Sequence, residues 1–419
     1  MMRISRLFLS GSSVAIALSV LLVPVGAGAQ STSAGGTPIA CTENSAPNPD
    51  NDGEPYSQLA CGTSFAHGNR GTTLGVGAGA TGESATALGN NARATNSATT
   101  AVGRFSLAEG SASTAIGFGA TGWGQGTSAF GFSAQAGGFV YRDDTGGGIS
   151  VSEVRNPRNT AIGAQAMTSA SAAGQADSTA IGFLANANAR FATATGSESE
   201  ATGENSAAYG QGSNATGANS SAYGQGSVAS ALQSTAVGQE AIASGGASVA
   251  LGRGAEATGL VSTALGASSN ATGTSSTAVG SAAQATGEVS TALGAASEAS
   301  GTRSLAVGQG SVASGSQSSA VGQGSTASAA GSVALGAGSI ADRDNSVSVG
   351  NLGAERQITN VAAGTAGTDA VNLDQLNGVS AAANAGSVAA QAAADLARTE
   401  AGAAQATANT ALADAASAQ

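Results

Sequence analysis

The hydrophobic positions of this chain recur with a period of 14 residues. In most periods a Val, Ile, Leu, Tyr or Phe stands directly before a Gly, and an Ala stands directly before that apolar residue. This alternation over a short segment predicts a β-strand. The glycines, which we call the ladder glycines, are Gly75, Gly89, Gly103, Gly117, Gly131, Gly163, Gly182, Gly196, Gly210, Gly224, Gly238, Gly252, Gly266, Gly280, Gly294, Gly308, Gly322, Gly336 and Gly350.

A second Gly follows seven residues after many ladder glycines, and a segment of small residues such as Ala255–Thr258 precedes it. Two short strands and two turns per period predict one coil of a β-solenoid, in which the ladder Gly allows a left-handed or otherwise strained turn and the second Gly turns the chain again. Coils would stack about 4.8 Å apart, so the thirteen coils from Gly182 to Gly350 would span roughly 60 Å. We expect Ala to fill the narrow interior. The apolar residue before each ladder Gly would form a column that faces a partner surface.

A helix is a poorer prediction for the repeats, because a Gly every seven residues would cost about 1 kcal/mol each. Composition then excludes several classes of protein. The chain has 419 residues and a net charge of −11, and its basic residues are 14 Arg and a single His. Nucleic-acid binding requires clustered Lys and Arg, and one His leaves no catalytic triad or multi-histidine metal site. We expect no enzymatic activity, no cofactor, no metal site and no nucleic-acid partner.

The N-terminal residues are typical of an exported protein. Arg3 and Arg6 precede an apolar run from Val14 to Val25, and small residues at 27–29 suit cleavage before Gln30. We predict a signal peptide over 1–29 and a leader over 30–70. In an oxidising compartment Cys41 and Cys61, both in the leader, would form a disulfide; two free thiols are the alternative.

The repeats from 71 to 350 resemble the head of YadA-like trimeric autotransporter adhesins. That resemblance rests on the Ser-x-Ala-(Val/Ile/Leu)-Gly register, as in Ser113–Gly117, Ser248–Gly252 and Ser332–Gly336. It implies an all-β head in which each chain is a left-handed parallel β-roll of 14-residue coils. It further implies that three chains pack around a three-fold axis as a homotrimer.

A second stretch resembles the neck of the same family, over 351–377. Asp369 would cap a helix that begins at Ala370, with Val371, Leu376 and Val379 toward the axis of a bundle. Residues 378–419 are rich in Ala and predict the start of an α-helical trimeric coiled-coil stalk. The neck residues that carry the resemblance are Arg356, Gln357, Ile358, Thr359, Asn360, Val361, Asp369, Val371, Asn372, Gln375 and Leu376.

The resemblance implies a non-enzymatic adhesin on the surface of a Gram-negative bacterium. Its targets would be extracellular-matrix or other host-surface proteins, host cells, other bacteria or abiotic surfaces. It would be exported through the inner membrane and held in the outer membrane by a C-terminal anchor that is missing from this chain. The alternative is a passive structural or ice-binding solenoid, which the Thr at 258, 272 and 286 would favour.

Two regions are candidate binding sites. An insertion near 132–160 interrupts the repeat and includes Tyr141 and Arg142 among several charged residues. It would bind a ligand, clamp the trimer or be a solvated loop. In the family, Asn-Ser-Val-Ala-Ile-Gly-x-x-Ser copies are associated with collagen binding, and the nearest copies here replace Ile by Tyr. They contribute the candidate ligand contacts Asn205, Ser206, Tyr209, Asn219, Ser220 and Tyr223.

Overall fold

The computed structural model describes residues 41–44, 58–61, 64–138, 140–143, 150–153, 156–168 and 176–418. The predicted signal peptide lies outside these residues. The chain divides into two compact units, Met1–Ser348 and Val349–Gln419.

The first unit is a parallel β-solenoid, as predicted. Each coil contributes one three-residue strand to the first sheet, sheet A, and one two-residue strand to the second sheet, sheet B. Thr263–Leu265 pairs with Val249–Leu251 above it and Thr277–Val279 below it, in register by one period. The amide of Thr263 donates to Ser276 O of the next coil over 2.9 Å. Hydrogen bonds of this kind join the backbone of each coil to its neighbours.

Within the described residues, sheet A has 21 strands. The first, Cys41–Asn44, is antiparallel to the second and is called the cap strand. The others are Gln58–Cys61, Thr72–Leu74, Thr86–Leu88, Thr100–Val102, Thr114–Ile116, Ser128–Phe130, Thr160–Ile162, Thr179–Ile181, Thr193–Thr195, Ala207–Tyr209, Ser221–Tyr223, Thr235–Val237, Val249–Leu251, Thr263–Leu265, Thr277–Val279, Thr291–Leu293, Leu305–Val307, Ser319–Val321, Val333–Leu335 and Val347–Ser348.

The part of the chain that the structure describes contributes 19 strands to sheet B, and they run parallel to one another. They are Phe65–Ala66, Gly79–Ala80, Arg93–Ala94, Leu107–Ala108, Thr121–Gly122, Gln135–Ala136, Met167–Thr168, Asn186–Ala187, Glu200–Ala201, Asn214–Ala215, Val228–Ala229, Ile242–Ala243, Glu256–Ala257, Asn270–Ala271, Gln284–Ala285, Glu298–Ala299, Val312–Ala313, Thr326–Ala327 and Ile340–Ala341.

The interior of the coils is built from Ala, as predicted. Ala264 at the centre of its sheet A strand and Ala257 in its sheet B strand are both fully buried. Buried Ser hydroxyls close the turns in many coils; Ser227, for example, donates to Gly224 O over 2.9 Å. Two sheets this close together leave no room for a larger side chain between them, which is why the large residues lie outside.

The two kinds of Gly play different roles in the coil. Ladder Gly266 has a φ of +138°. The second Gly of a coil, such as Gly259, is not among the residues of positive φ. A Cβ there would instead lie 2.1 Å from Gly273 O of the next coil. Close approach between coils therefore favours Gly at this position, and the left-handed residue is Val261, two positions later.

The solenoid begins earlier than predicted. Gln58–Cys61 already pairs in parallel with Thr72–Leu74, so the first coil includes the end of the expected leader. Cys61 is disulfide-bonded, and its backbone lies opposite Cys41 in the cap strand. This register supports the predicted Cys41–Cys61 bridge.

The insertion does not interrupt the stack of coils. Ser128–Phe130 pairs directly with Thr160–Ile162. The extra residues leave the coil after Gly137 and return at Asn156, whose amide donates to Gly137 O over 2.7 Å. They include an antiparallel hairpin of Val140–Asp143 and Ser150–Glu153, which we call the inserted hairpin.

The second unit contains one helix, α1, from Leu373 to Ser417. Its N-cap is Asn372, so the prediction that Asp369 caps a helix beginning at Ala370 is wrong. The Asp369 carboxylate instead accepts from the amides of Thr365 and Ala366 over 2.9 Å each. Those two donors hold the pKa of Asp369 below its ordinary value. Asp369 therefore closes the turn that precedes the helix.

Candidate functional surface

The outward side of sheet A carries a continuous apolar column. In consecutive coils the residue before the ladder Gly is Val237, Leu251, Leu265, Val279 and Leu293, each paired with the same position above and below. Leu251 and Leu293 expose 42% and 45% of their surface. The same position holds a large apolar residue in each described coil from Leu74 to Leu335, with the exception of Thr195. The protomer thus has an apolar face that extends along the whole solenoid.

Tyr209 and Tyr223, two of the predicted ligand contacts, belong to this column. Their rings stack with centroids 5.0 Å apart and an interplanar angle of 3°, and Tyr223 lies beside Val237. A ligand that contacts these rings would therefore compete with anything that covers the rest of the column.

The other predicted contacts lie elsewhere. Asn205 and Asn219 are exposed in the left-handed position of the turns that lead from sheet B back to sheet A. Ser206 and Ser220 are buried inside the coil, where an external ligand cannot reach their hydroxyls. The prediction that these two serines contact a ligand is therefore corrected. Ligand contact by the two asparagines stays a prediction. Tyr141 and Arg142 lie in the first strand of the inserted hairpin, of which the backbone is described.

The return of the inserted hairpin is fixed by polar contacts between neighbouring coils. Arg158 forms a bidentate ion pair with Asp177 of the next coil, with Nε to Oδ1 at 2.5 Å and Nη2 to Oδ2 at 2.7 Å. The buried Asn159 accepts through Oδ1 from the amide and hydroxyl of Ser178 at 2.8 and 2.9 Å. The base of the hairpin is therefore held on a rigid coil.

The Arg158–Asp177 pair predicts a pH-dependent contribution to stability. The Arg158 guanidinium, through its hydrogen bonds and charge, lowers the pKa of Asp177 below its ordinary value of 3.8. The contribution is therefore present above the unfolded-state pKa and is lost as the pH falls through the folded-state pKa. At pH 7 we expect Asp177→Asn to lower the melting temperature, and this difference should shrink below about pH 4.

Thermal melts of the wild type and Asp177→Asn between pH 2 and 8 would measure this difference. The matched control is Glu204→Gln, because Arg190 and Glu204 form a looser pair of 3.7 Å between neighbouring coils. A difference for Asp177→Asn that is constant from pH 7 to pH 2 would contradict the assigned role of the ion pair.

Arg and Phe side chains form a cluster that the sequence analysis did not single out. Phe105, Phe118 and Phe132 lie on three consecutive coils, in the turn that leads from sheet A to sheet B. The rings of Phe118 and Phe132 stack 5.4 Å apart, and Arg104 lies 4.5 Å from the centroid of Phe105. The cluster could have been predicted from the 14-residue period of the ladder glycines, because this period places the turns that carry the three Phe residues one above the other.

The neck segment is joined to the start of α1 by side-chain hydrogen bonds. The Gln375 side chain accepts from the Gly364 amide over 2.8 Å and donates to Gly364 O over 2.9 Å. It also accepts from the Asn372 amide, while Asn372 Oδ1 accepts from the Gln375 amide, which is a capping box. Apolar Ile358, Val371 and Leu376 are exposed nearby in the isolated protomer.

We expect Gln375→Ala to destabilise the connection between the neck segment and α1 by about 1–2 kcal/mol. The substitution removes the capping box and leaves Gly364 without its side-chain partner. Hydrogen exchange at the amides of Gly364 and Asn372 should accelerate while exchange in the solenoid is unchanged. The control is Gln391→Ala, which removes only an exposed contact with Asp395 on the helix surface. Equal exchange in both variants would contradict the role of Gln375.

Metal and membrane features are absent from the described part of the chain. It contains no group of three or more His, Cys, Asp or Glu side chains placed to hold a metal ion. No helix in the same residues combines the length and apolarity needed to cross a membrane. The Thr at 258, 272 and 286 lie at the end of sheet B strands, but their outward neighbours in the strands are Glu256, Asn270 and Gln284. A paired Thr face is therefore not formed there.

Two family models match the chain. A model described as the YadA head domain repeat matches 66–92, 94–120, 173–199, 201–227, 229–255 and, in overlapping copies, 257–352, which is more than half of the chain. A model described as the coiled stalk of trimeric autotransporter adhesin matches 357–396. The chain belongs to the YadA-like family of trimeric autotransporter adhesins. It is thus an adhesin of a family exposed on the surface of Gram-negative bacteria. The interval 121–172, which includes the inserted hairpin, lies between two matched copies of the head repeat.

Among solved structures, the chain is similar to the collagen-binding domain of the Yersinia adhesin YadA. The two are 35% identical, the similarity covers 39% of this chain and 84% of that one, and the TM-score is 0.31. A search of curated proteins finds no match. Family membership rests on the repeat and stalk matches.

Proposed function

We propose that this YadA-like chain forms a homotrimeric surface adhesin and attaches the bacterium to a protein of the extracellular matrix or of a host surface. The apolar column of sheet A is the observation that supports the homotrimer. An exposed apolar face that recurs in nearly all coils, interrupted at Thr195, is too extensive for an isolated soluble protomer. A second and third copy, aligned in parallel, would offer the same period and cover it coil by coil.

The second unit supports the same assembly. Leu352 is fully exposed and Ile358 is 70% exposed. The residues Leu373, Leu376, Val379, Val388, Leu396 and Leu412 of α1 are also exposed. A single 45-residue helix with no buried residue gains little from packing, whereas three such helices would bury these side chains against one another.

The first test is the mass in solution of the exported chain beginning at Gln30. Light scattering should give three chains per particle. The same particles should then bind to immobilised collagen or fibronectin, with albumin as the control surface. A stable folded monomer would contradict the trimer. A trimer that binds none of the matrix proteins, nor intact host cells, would contradict the adhesive target.

The inserted hairpin is proposed as a ligand-binding or trimer-clamping element. Gln135–Ala136 is part of the coil, so an informative deletion must spare it. Removing 138–155 leaves 14 residues from Gly131 to Gly163 and restores the regular period. If adhesion and the melting temperature of the trimer are both unchanged in this variant, the hairpin has neither role.

A further inference from the structure

The cluster around Phe118 belongs to a longer apolar strip. Five successive coils run from ladder Gly103 to ladder Gly182, and in all of them but the coil of Gly163 the turn from sheet A to sheet B carries large apolar side chains that are 41–53% exposed. We call this surface the aromatic strip. It consists of Phe105, Phe118, Phe132, Phe183 and Leu184. Five coils extend for roughly 20 Å at the spacing of hydrogen-bonded strands.

The upper end of the strip carries a positive charge. The Arg104 guanidinium carbon lies 4.5 Å from the ring centroid of Phe105 and 5.7 Å from that of Phe118. Phe105 in turn meets Phe118 edge-to-face, with centroids 5.9 Å apart. The Arg104 guanidinium is therefore held against the rings, where it could form an ion pair with an acidic group of a bound partner.

The lower end of the strip contains a small cavity. Ala164 takes the turn position that Phe132 and Phe183 occupy in the coils above and below. Beside it lies a cavity of about 220 Å³, lined by Ser133, Gln135, Gln165, Met167 and Leu184. This volume is below the range of pockets for whole small molecules. It suits one apolar side chain, with the two Gln amides placed to hydrogen-bond a main chain.

The strip, unlike the apolar column, does not recur along the solenoid. In later coils the same turn position is polar and holds Gln211, Gln225 and Gln239, whose amides hydrogen-bond to one another over 3.4 and 3.5 Å. The aromatic strip is thus a local feature of the upper coils, and this favours a partner other than a second copy.

We propose that the aromatic strip binds an extended peptide segment of a target-surface protein. The segment runs along the strip, places one apolar side chain in the cavity beside Ala164, and places an acidic side chain against Arg104. About six extended residues cover the length of the strip. A helix would need a groove as wide as its own diameter to bind, whereas the aromatic strip is a narrow row of side chains. The proposal rests on the adhesive function proposed above and names the site.

The test is selection of peptides from a random phage-displayed library. The complete exported chain is the bait, and the double variant Phe118→Gln, Phe132→Gln is the counter-selection bait. Gln is the natural residue at this turn position in later coils, so the variant keeps the fold. Enriched peptides should combine an apolar residue with an acidic one. We expect them to bind the double variant at least tenfold more weakly by fluorescence anisotropy, and Arg104→Gln to weaken binding of the acidic peptides.

The matched control is Phe191→Asn. Phe191 is an exposed Phe with Arg190 held 4.5 Å from its ring, the same distance as in the Arg104–Phe105 pair, but it lies in the turn from sheet B to sheet A. Asn occupies the corresponding position at Asn205. This variant should bind the selected peptides as the wild type does.

Three results would overturn the proposal: no enrichment over counter-selection, equal binding to the double variant, or a changed number of chains per particle in that variant. The last would assign the strip to contact between copies. Binding of the unaltered chain to collagen and fibronectin is measured in parallel. If that binding is present and the double variant retains it, the site is wrong while the adhesive function stands. If the unaltered chain binds neither of these proteins and does not bind intact host cells, the function itself fails.

Discussion

Replacing Gly266 by Ala destabilises the head by about 3 kcal/mol or more. Gly266 has a φ of +138°, which L-residues rarely adopt. A Cβ there would also lie 2.5 Å from Gly280 O of the next coil. The two effects add, because the coil can relieve neither without breaking its hydrogen bonds with the coils on both sides.

The matched control is Gly254→Ala, in the equivalent turn of the preceding coil. Gly254 has a φ of +61°, and its nearest neighbour for a Cβ is Ser268 Oγ at 3.8 Å. Ser268 and Ala282 adopt the same conformation at the equivalent position of later coils, so this substitution should cost only about 1–2 kcal/mol. Repeat proteins can unfold in segments, and hydrogen exchange resolved by coil is therefore the appropriate measurement. Equal effects of the two substitutions would contradict the distinction between the two glycines.

The triple substitution Leu251→Glu, Leu265→Glu and Leu293→Glu converts the trimer to monomers. These side chains point outward from sheet A, so the interior of the coil is unaffected and the protomer should keep its circular dichroism spectrum. In the proposed trimer they would place three unpaired carboxylates per chain in an apolar contact, at several kcal/mol each. Light scattering should show the change from three chains to one.

The control places the same charges on the opposite face. Val228→Glu, Ile242→Glu and Val312→Glu alter outward positions of sheet B, where Glu256 and Glu298 already occur. This variant has the same net charge as the first and should remain trimeric. Dissociation by the sheet B set alone would mean that copies meet through sheet B.

The repeat could be predicted because one coil is a local structure. All the residues that form its strands and turns lie within 14 positions, and the spacing of Gly266 and Gly280 shows which residues stack. Burial of Ala264 follows from strand alternation alone. The helix start was harder to predict. Asp369 and Asn372 are both suitable caps by residue type, and the choice depends on the turn that brings the Thr365 and Ala366 amides to Asp369.

The separate roles of the glycines could not be read from residue type. Gly permits a positive φ and also a close approach of backbones, and the sequence is the same in both cases. The geometry of the stack decides between them at Gly266 and Gly259. It also imposes a left-handed turn on Val261, a β-branched residue that disfavours it.

The sequence by itself determined that this chain is a stack of 14-residue coils with an Ala interior and one apolar column, because short-range alternation and a strict period specify those features. Only the tertiary structure decided that Ser133 and Leu184 line one cavity and that the ion pair of Arg158 and Asp177 joins two coils. Insertions separate these residues along the chain. The hydrogen bonds between coils bring them together, because neighbouring strands keep their register while the inserted residues leave the stack.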